Sequence, residues 1–164
     1  MKRKAWTTLI ITLFLGVFLY YSYQQIQPEE IENAPDWLSL QDALVLAGEE
    51  ESVNDKLILI DIYESGCRFC RQMEREVYPS ESIRTLIDRS FHPVKVNGNS
   101  DEPVRYRGEE MTGRDFASLM GVTAFPYTVV MDADGNVIDN RRGYMGVSDL
   151  SRFLNQALRG QVNS

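Results

Sequence analysis

The longest uninterrupted apolar stretch lies at the N-terminus, where Ala5 to Tyr23 runs for 19 residues without a charge behind the basic tip Met1-Lys2-Arg3-Lys4. At ~1.5 Å per residue a helix of that length covers about 28 Å, close to the ~30 Å hydrocarbon core of a bilayer. Trp6, Tyr20, Tyr21 and Tyr23 stand at its ends, where interfacial aromatics sit. The exit Tyr21-Ser22-Tyr23-Gln24-Gln25-Ile26 lacks the small-x-small pattern read by signal peptidases. The pattern predicts residues 1–4 as a cytoplasmic tip and 5–23 as an uncleaved transmembrane signal anchor. By the positive-inside rule it places the rest of the chain on the extracytoplasmic side, the periplasm of a Gram-negative cell. Residues 24–35, with Pro28, Glu29, Glu30, Glu32 and Pro35, read as a polar linker.

From residue 36 the periodicity changes. Apolar positions at three- and four-residue spacing over Trp37 to Leu46 predict a helix capped by Asp36 and closed by Gly48. Leu57 to Ile62 is almost continuously apolar, as a strand buried on both faces would be, with Asp61 the exception. A helix opened by the cysteines should stop near Val77-Tyr78, ahead of Pro79, and Ser80-Glu81-Ser82 starts another through Asp88. Phe91 to Val96 reads as a strand and Asn97 to Met111 as a loop. Thr112 then caps a helix over Asp115 to Met120. Tyr127–Met131 and Asn136–Asp139 flank the turn Asp132-Ala133-Asp134-Gly135, a hairpin signature. A last helix from Ser148 carries Leu150, Phe153, Leu154, Ala157 and Leu158 on one face. The order α-β-α-α-β-α-β-β-α predicts an α/β domain over 36–164, a mixed sheet with helices on both faces.

Charge narrows the partners. Three of the 17 basic residues lie at positions 2–4 and no acid precedes Glu29, so 14 bases face 24 acids and the remainder carries −10. That balance argues against nucleic acid.

The chemistry concentrates in Glu64-Ser65-Gly66-Cys67-Arg68-Phe69-Cys70-Arg71, which holds both cysteines of the chain. A structural zinc site needs about four N or S ligands, and two cysteines with His92 fall short, so no metal and no cofactor is expected. A purely structural bridge over so short a loop constrains the unfolded chain little. Cys-x-x-Cys between a strand and a helix reads instead as a redox dithiol, because free N–H groups at the helix start stabilise a thiolate. Cys67 is the candidate nucleophile and Cys70 the candidate resolving thiol. Arg68 and Arg71 favour the thiolate, while Glu64 and Glu74 oppose it.

The run Leu59 to Cys70, with Val122-Thr123-Ala124-Phe125-Pro126-Tyr127-Thr128 and Asp132-Ala133-Asp134-Gly135 downstream, resembles the thioredoxin superfamily, specifically its extracytoplasmic, membrane-anchored branch. The likeness spans roughly 37–158. It implies a thioredoxin-like fold and thiol-disulfide oxidoreductase activity on protein thiols and disulfides, with an envelope or membrane redox partner. Asp61 matches the buried acid that accepts or relays a proton during attack by the resolving thiol, and Lys95 the lysine near that acid. Pro126 matches the cis-proline that presents backbone to an extended substrate. Phe125 departs from the small or β-branched residue usual before that proline; Phe69 and Phe125 are candidate substrate-binding aromatics if exposed beside the dithiol and ordinary core if buried. Gly66 stands where a tryptophan is usual, and Arg68-Phe69 replace the Gly-Pro of thioredoxin itself. These departures tune the potential, so the direction of electron flow is not inherited. The Asp61 and Lys95 pair follows the reducing members and favours a reductase. A disulfide-donating oxidase of the same fold, or a non-enzymatic client-binding module using Phe69, Phe125 and Pro126, stays open.

Overall fold

The computed structural model describes residues 2–26, 31–49 and 56–161. Residues 27–30 of the linker, and residues 50–55 and 162–164 of the expected domain, lie outside the described residues. The chain divides into two compact units, Met1–Glu30 and Ile31–Ser164. The first is helix α1 (Lys2–Ile26), in which Trp6–Gln24 is long and apolar enough to cross a membrane, with its large apolar side chains exposed.

In the second unit, helix α2 (Leu40–Glu49) precedes strand β1 (Leu57–Tyr63). Helix α3 (Arg68–Gln72) runs on into a π-helical turn, Met73–Val77, and α4 (Glu81–Ser90) passes without a loop into β2 (Phe91–Asn97). A hairpin, β3 (Pro103–Tyr106) and β4 (Glu109–Thr112), leads to α5 (Gly113–Leu119). Strands β5 (Tyr127–Met131) and β6 (Val137–Arg142) and helix α6 (Val147–Gln161) complete the unit. The main sheet has the order β2-β1-β5-β6, with β1 and β2 parallel and β5 antiparallel to both its neighbours. The mixed sheet with helices on both faces agrees with the sequence.

Two expectations are corrected. The first helix starts at Leu40 rather than near Trp37, and Ser39 caps it, accepting the Asp42 N–H at 3.1 Å, while Leu38 bridges to Val94 on the outer side of β2. The segment from Asn97 to Met111 is not all loop, because residues 103–112 form the β3–β4 hairpin. Its tip is latched to the β5–β6 turn: the Tyr106 hydroxyl donates to the Gly135 carbonyl at 2.7 Å and Arg107 donates to Asn136 Oδ1 at 2.6 Å.

Strand periodicity sorts the core. Leu57 and Leu59 pack with Met73, Val77, Tyr78, Ile87, Phe91 and Phe153 on the face covered by the π-helical turn, α4 and α6. Ile58, Ile60 and Ile62 pack with Leu40, Ala43, Val94, Phe116 and Val129 beneath α2 and α5. Alternate residues share a face, so Asp61 belongs with Leu57 and Leu59, under the helix that follows the cysteines. The register completes the row: Asp61 is paired with Lys95 on one side and Thr128 on the other, and Thr128 with Arg141.

Candidate functional site

β1 ends at Tyr63, and Gly66, at φ +88°, turns the chain into α3. That conformation favours glycine, which accounts for its presence where a larger residue would be strained. Cys67 occupies the N-cap of α3, and its Sγ accepts the N–H of Cys70 at 3.1 Å. The two sulfurs form a disulfide with Cα atoms 5.3 Å apart. Cys67 is half-buried, whereas Cys70 is 4% exposed. The dithiol is thus asymmetric, with one sulfur open to a partner and one shielded behind it.

The Phe125–Pro126 peptide is cis, and the pairing of Ile62 with Tyr127 sets Pro126 beside the end of β1 that leads into the cysteines. Pro126 is buried, Phe125 is partly buried against the α2/α5 core, and the Pro126 carbonyl accepts the Gly143 N–H at 2.8 Å. Phe69 is 53% exposed and meets Tyr144, with ring centroids 6.1 Å apart. The loop 143–146 therefore joins the Cys-x-x-Cys turn and the proline loop in one rim. Tyr144 carries no motif in the sequence and is found only through this contact.

Asp61 is 1% exposed. Burial is the largest influence on its carboxyl and pushes the pKa up to about 7, against the opposing pull of the Lys95 charge and the Tyr78 hydroxyl, with the Glu74 charge adding to the rise. Lys95 faces the same side of the sheet, yet its ammonium forms its ion pair with Glu74 and lies 4.6 Å from the centroid of the Tyr63 ring. Glu74 and Tyr78 both come from the segment after Cys70; the sequence reads Glu74 only as a charge opposing the thiolate and does not single out Tyr78. Tyr78 is fully buried and its hydroxyl is driven well above the usual tyrosine range, mainly by burial and then by the Asp61 charge. Asp61 Oδ1, the Tyr78 hydroxyl and the Thr128 hydroxyl converge without a well-aligned hydrogen bond among them. They are close enough for each to bias its neighbour's ionisation.

The Tyr78 hydroxyl favours the charged form of Asp61 by donating toward it. Tyr78→Phe should therefore move the Asp61 titration to higher pH, read from the carboxyl carbon shift by NMR. A midpoint that stays put or falls would show that the hydroxyl serves packing alone.

A half-exposed cysteine heading a helix, a shielded second cysteine, a cis-proline loop alongside and a buried acid beneath define the thioredoxin class of disulfide site. The chain belongs to the thioredoxin-like domain family, whose model matches residues 40–158. Among solved structures it is similar to the DsbH oxidoreductase, at 18% identity and TM-score 0.59 over 82% of this chain and 92% of that one. A putative disulphide-isomerase from Bacteroides thetaiotaomicron gives 20% identity and TM-score 0.60 over 79% and 96%. The oxidised C-terminal domain of DsbD from Neisseria meningitidis gives 19% and 0.54 over 72% and 92%. Comparison with curated protein sequences finds no match. At these identities the solved structures establish the shared fold.

Proposed function

We propose that this protein is a thiol-disulfide oxidoreductase that acts on extracytoplasmic protein disulfides while held at the membrane by α1. The observation that carries the reading is the asymmetric Cys67–Cys70 pair at the head of α3, with Asp61 buried under it. In the reducing direction the Cys67 thiolate attacks one sulfur of a partner disulfide, forming a mixed disulfide and releasing the partner's other sulfur as a thiolate that takes up a proton. Cys70 then gives its proton to the Asp61 carboxylate and attacks Cys67 Sγ, and the partner leaves as its second thiolate. The partner has gained two electrons, and the chain is left as the Cys67–Cys70 disulfide. With a pKa near 7, Asp61 can both accept and return a proton at neutral pH. Lys95 and Glu74 set the local charge around it, and Phe69, Phe125 and Pro126 receive the extended substrate.

We take the reducing direction as the working one, supported by the Asp61 and Lys95 pairing across β1 and β2. The reduction potential of the Cys67/Cys70 couple, measured against glutathione, decides it: a value near ~−270 mV supports a reductant and one near ~−120 mV a disulfide donor. Two of the similar structures, an oxidoreductase and a putative disulphide-isomerase, agree with redox chemistry in either direction. Intact-mass analysis of the membrane-bound protein should give a chain that retains residues 5–23. A mature form starting between residues 24 and 35 would remove the anchor from this reading.

A further inference from the structure

The charge of the chain beyond α1 is unevenly placed. Residues 29–164 carry −10, yet the exposed Arg68, Arg71, Arg141 and Arg142 beside the dithiol rim have no acidic partner among the described residues. Arg141 lies over the Phe153 ring, 5.8 Å from its centroid, and Arg142 reaches the Thr123 hydroxyl at 3.4 Å, just before the Phe125–Pro126 turn. These consecutive residues emerge on opposite faces of β6. β6 is the outermost strand of the sheet, so one row of its backbone N–H and C=O groups meets no other described strand. A cavity of about 300 Å³ opens alongside, lined by Arg141, Arg142, Tyr144, Asp149, Arg152 and Phe153. Two acids belong to this face: Asp149, tied to Arg152 at 3.2 Å, and Asp139, which accepts the Asn140 N–H at 2.8 Å. Neither pairs with Arg141 or Arg142.

We infer that the β6 edge docks an acidic, extended segment of the partner polypeptide, added as a strand outside β6 with carboxylates on Arg141 and Arg142. An open edge offers backbone hydrogen bonds at the spacing of a strand, and successive side chains of the added segment fall on opposite faces, where the two guanidinium groups wait. Unpaired guanidinium groups match carboxylates in a fork geometry. The Phe69–Tyr144 pair continues from this edge to Cys67, so a segment seated here delivers a neighbouring cystine toward the nucleophile. An anionic lipid headgroup would use the cations but not the strand edge, which favours a polypeptide. The inference rests on the redox reading only for the delivery of that cystine; docking itself needs no exchange.

Exposed ion pairs are weak singly, and their effect is on selectivity and encounter, screened by salt. The test uses the oxidised full-length chain in neutral detergent micelles and two fluorescent, cysteine-free peptides of Thr and Val, one with four Glu and one with four Lys, titrated by anisotropy. The acidic peptide should bind roughly tenfold tighter at low salt, an advantage of two modest ion pairs, and the advantage should shrink at high salt. Arg141→Glu with Arg142→Glu should remove it, and the milder Arg141→Gln with Arg142→Gln pair should do so if the first does not fold. Preference surviving either folded variant, or no preference in the wild type, overturns the proposal. Displacement of the acidic peptide by glycerol phosphate as effectively as by unlabelled peptide would assign the cations to a lipid headgroup and also overturn it. Failure of the redox reading appears separately, as absence of exchange between the wild type and hydroxyethyl disulfide.

Discussion

Cys70→Ser should hold a partner protein as a long-lived mixed disulfide on Cys67, whereas Cys67→Ser should capture little. The half-exposed Cys67 can be reached by a foreign disulfide, and the N–H of Cys70 already points at its sulfur, so its thiolate is stabilised where attack begins. Cys70, at 4% exposure, is shielded from any partner but lies within bonding reach of Cys67. Removing Cys70 therefore leaves attack intact and abolishes release. Removing Cys67 abolishes attack, and on the exposure difference capture should fall by roughly tenfold or more, about 1.4 kcal/mol per decade. Non-reducing electrophoresis of the two variants in their own cells, with the captured bands identified by mass, gives the answer. Equal capture, or capture through Cys70 alone, would reverse the assignment of the sulfurs.

The second large effect is on stability. An unfolded aspartate titrates near ~3.9, whereas Asp61 in the fold titrates at about 7 because burial penalises its charge. Between those values the folded chain holds a proton that the unfolded chain has released, so this group's contribution to stability declines as pH rises from about 4 to about 7 and levels off above. Three pH units at ~1.4 kcal/mol each put the full change at about 4 kcal/mol. Asp61→Asn cannot ionise. Relative to wild type it should be gaining stability across that window, with little advantage at pH 4 and the largest above pH 7. Urea unfolding of the Ile31–Ser164 unit, disulfide intact, at pH 4 and pH 8 measures the difference. A pH-independent difference, or a larger one in acid, would show that Asp61 is ionised in the fold by partners strong enough to offset its burial.

The parts of this site that the sequence shows are those written in short range. Leu57 to Ile62 reveals a buried strand, and its one acid stands out because no surface position explains it. Gly66-Cys67 at the strand end and Thr112 before α5 carry their own local logic, a left-handed turn and a cap, and Thr112 does accept the Asp115 N–H at 3.0 Å. What stays hidden depends on distant pairing. The β3–β4 hairpin alternates weakly and mostly faces solvent, and its turn uses Arg107 at φ +51° before Gly108 at φ +81°, so the usual Asn-Gly signal is missing. Glu74 lies in a π-helical turn that Tyr78 closes, its N–H on the Met73 carbonyl at 2.9 Å. The wider turn breaks the 3.6-residue count by which a helix face is read from sequence. Counting the positions after Met73 therefore gives no hint that Tyr78 reaches Asp61.

The most direct measurement of the central claim is catalysed reduction of insulin disulfides by the full-length chain, with dithiothreitol as electron source. The wild type should accelerate the reaction, and Cys67→Ser should return it to the uncatalysed rate while the fold, followed by circular dichroism, stays intact. A wild-type chain that gives no acceleration, or a Cys67→Ser variant as fast as wild type, would contradict the assignment of this site as a dithiol that turns over.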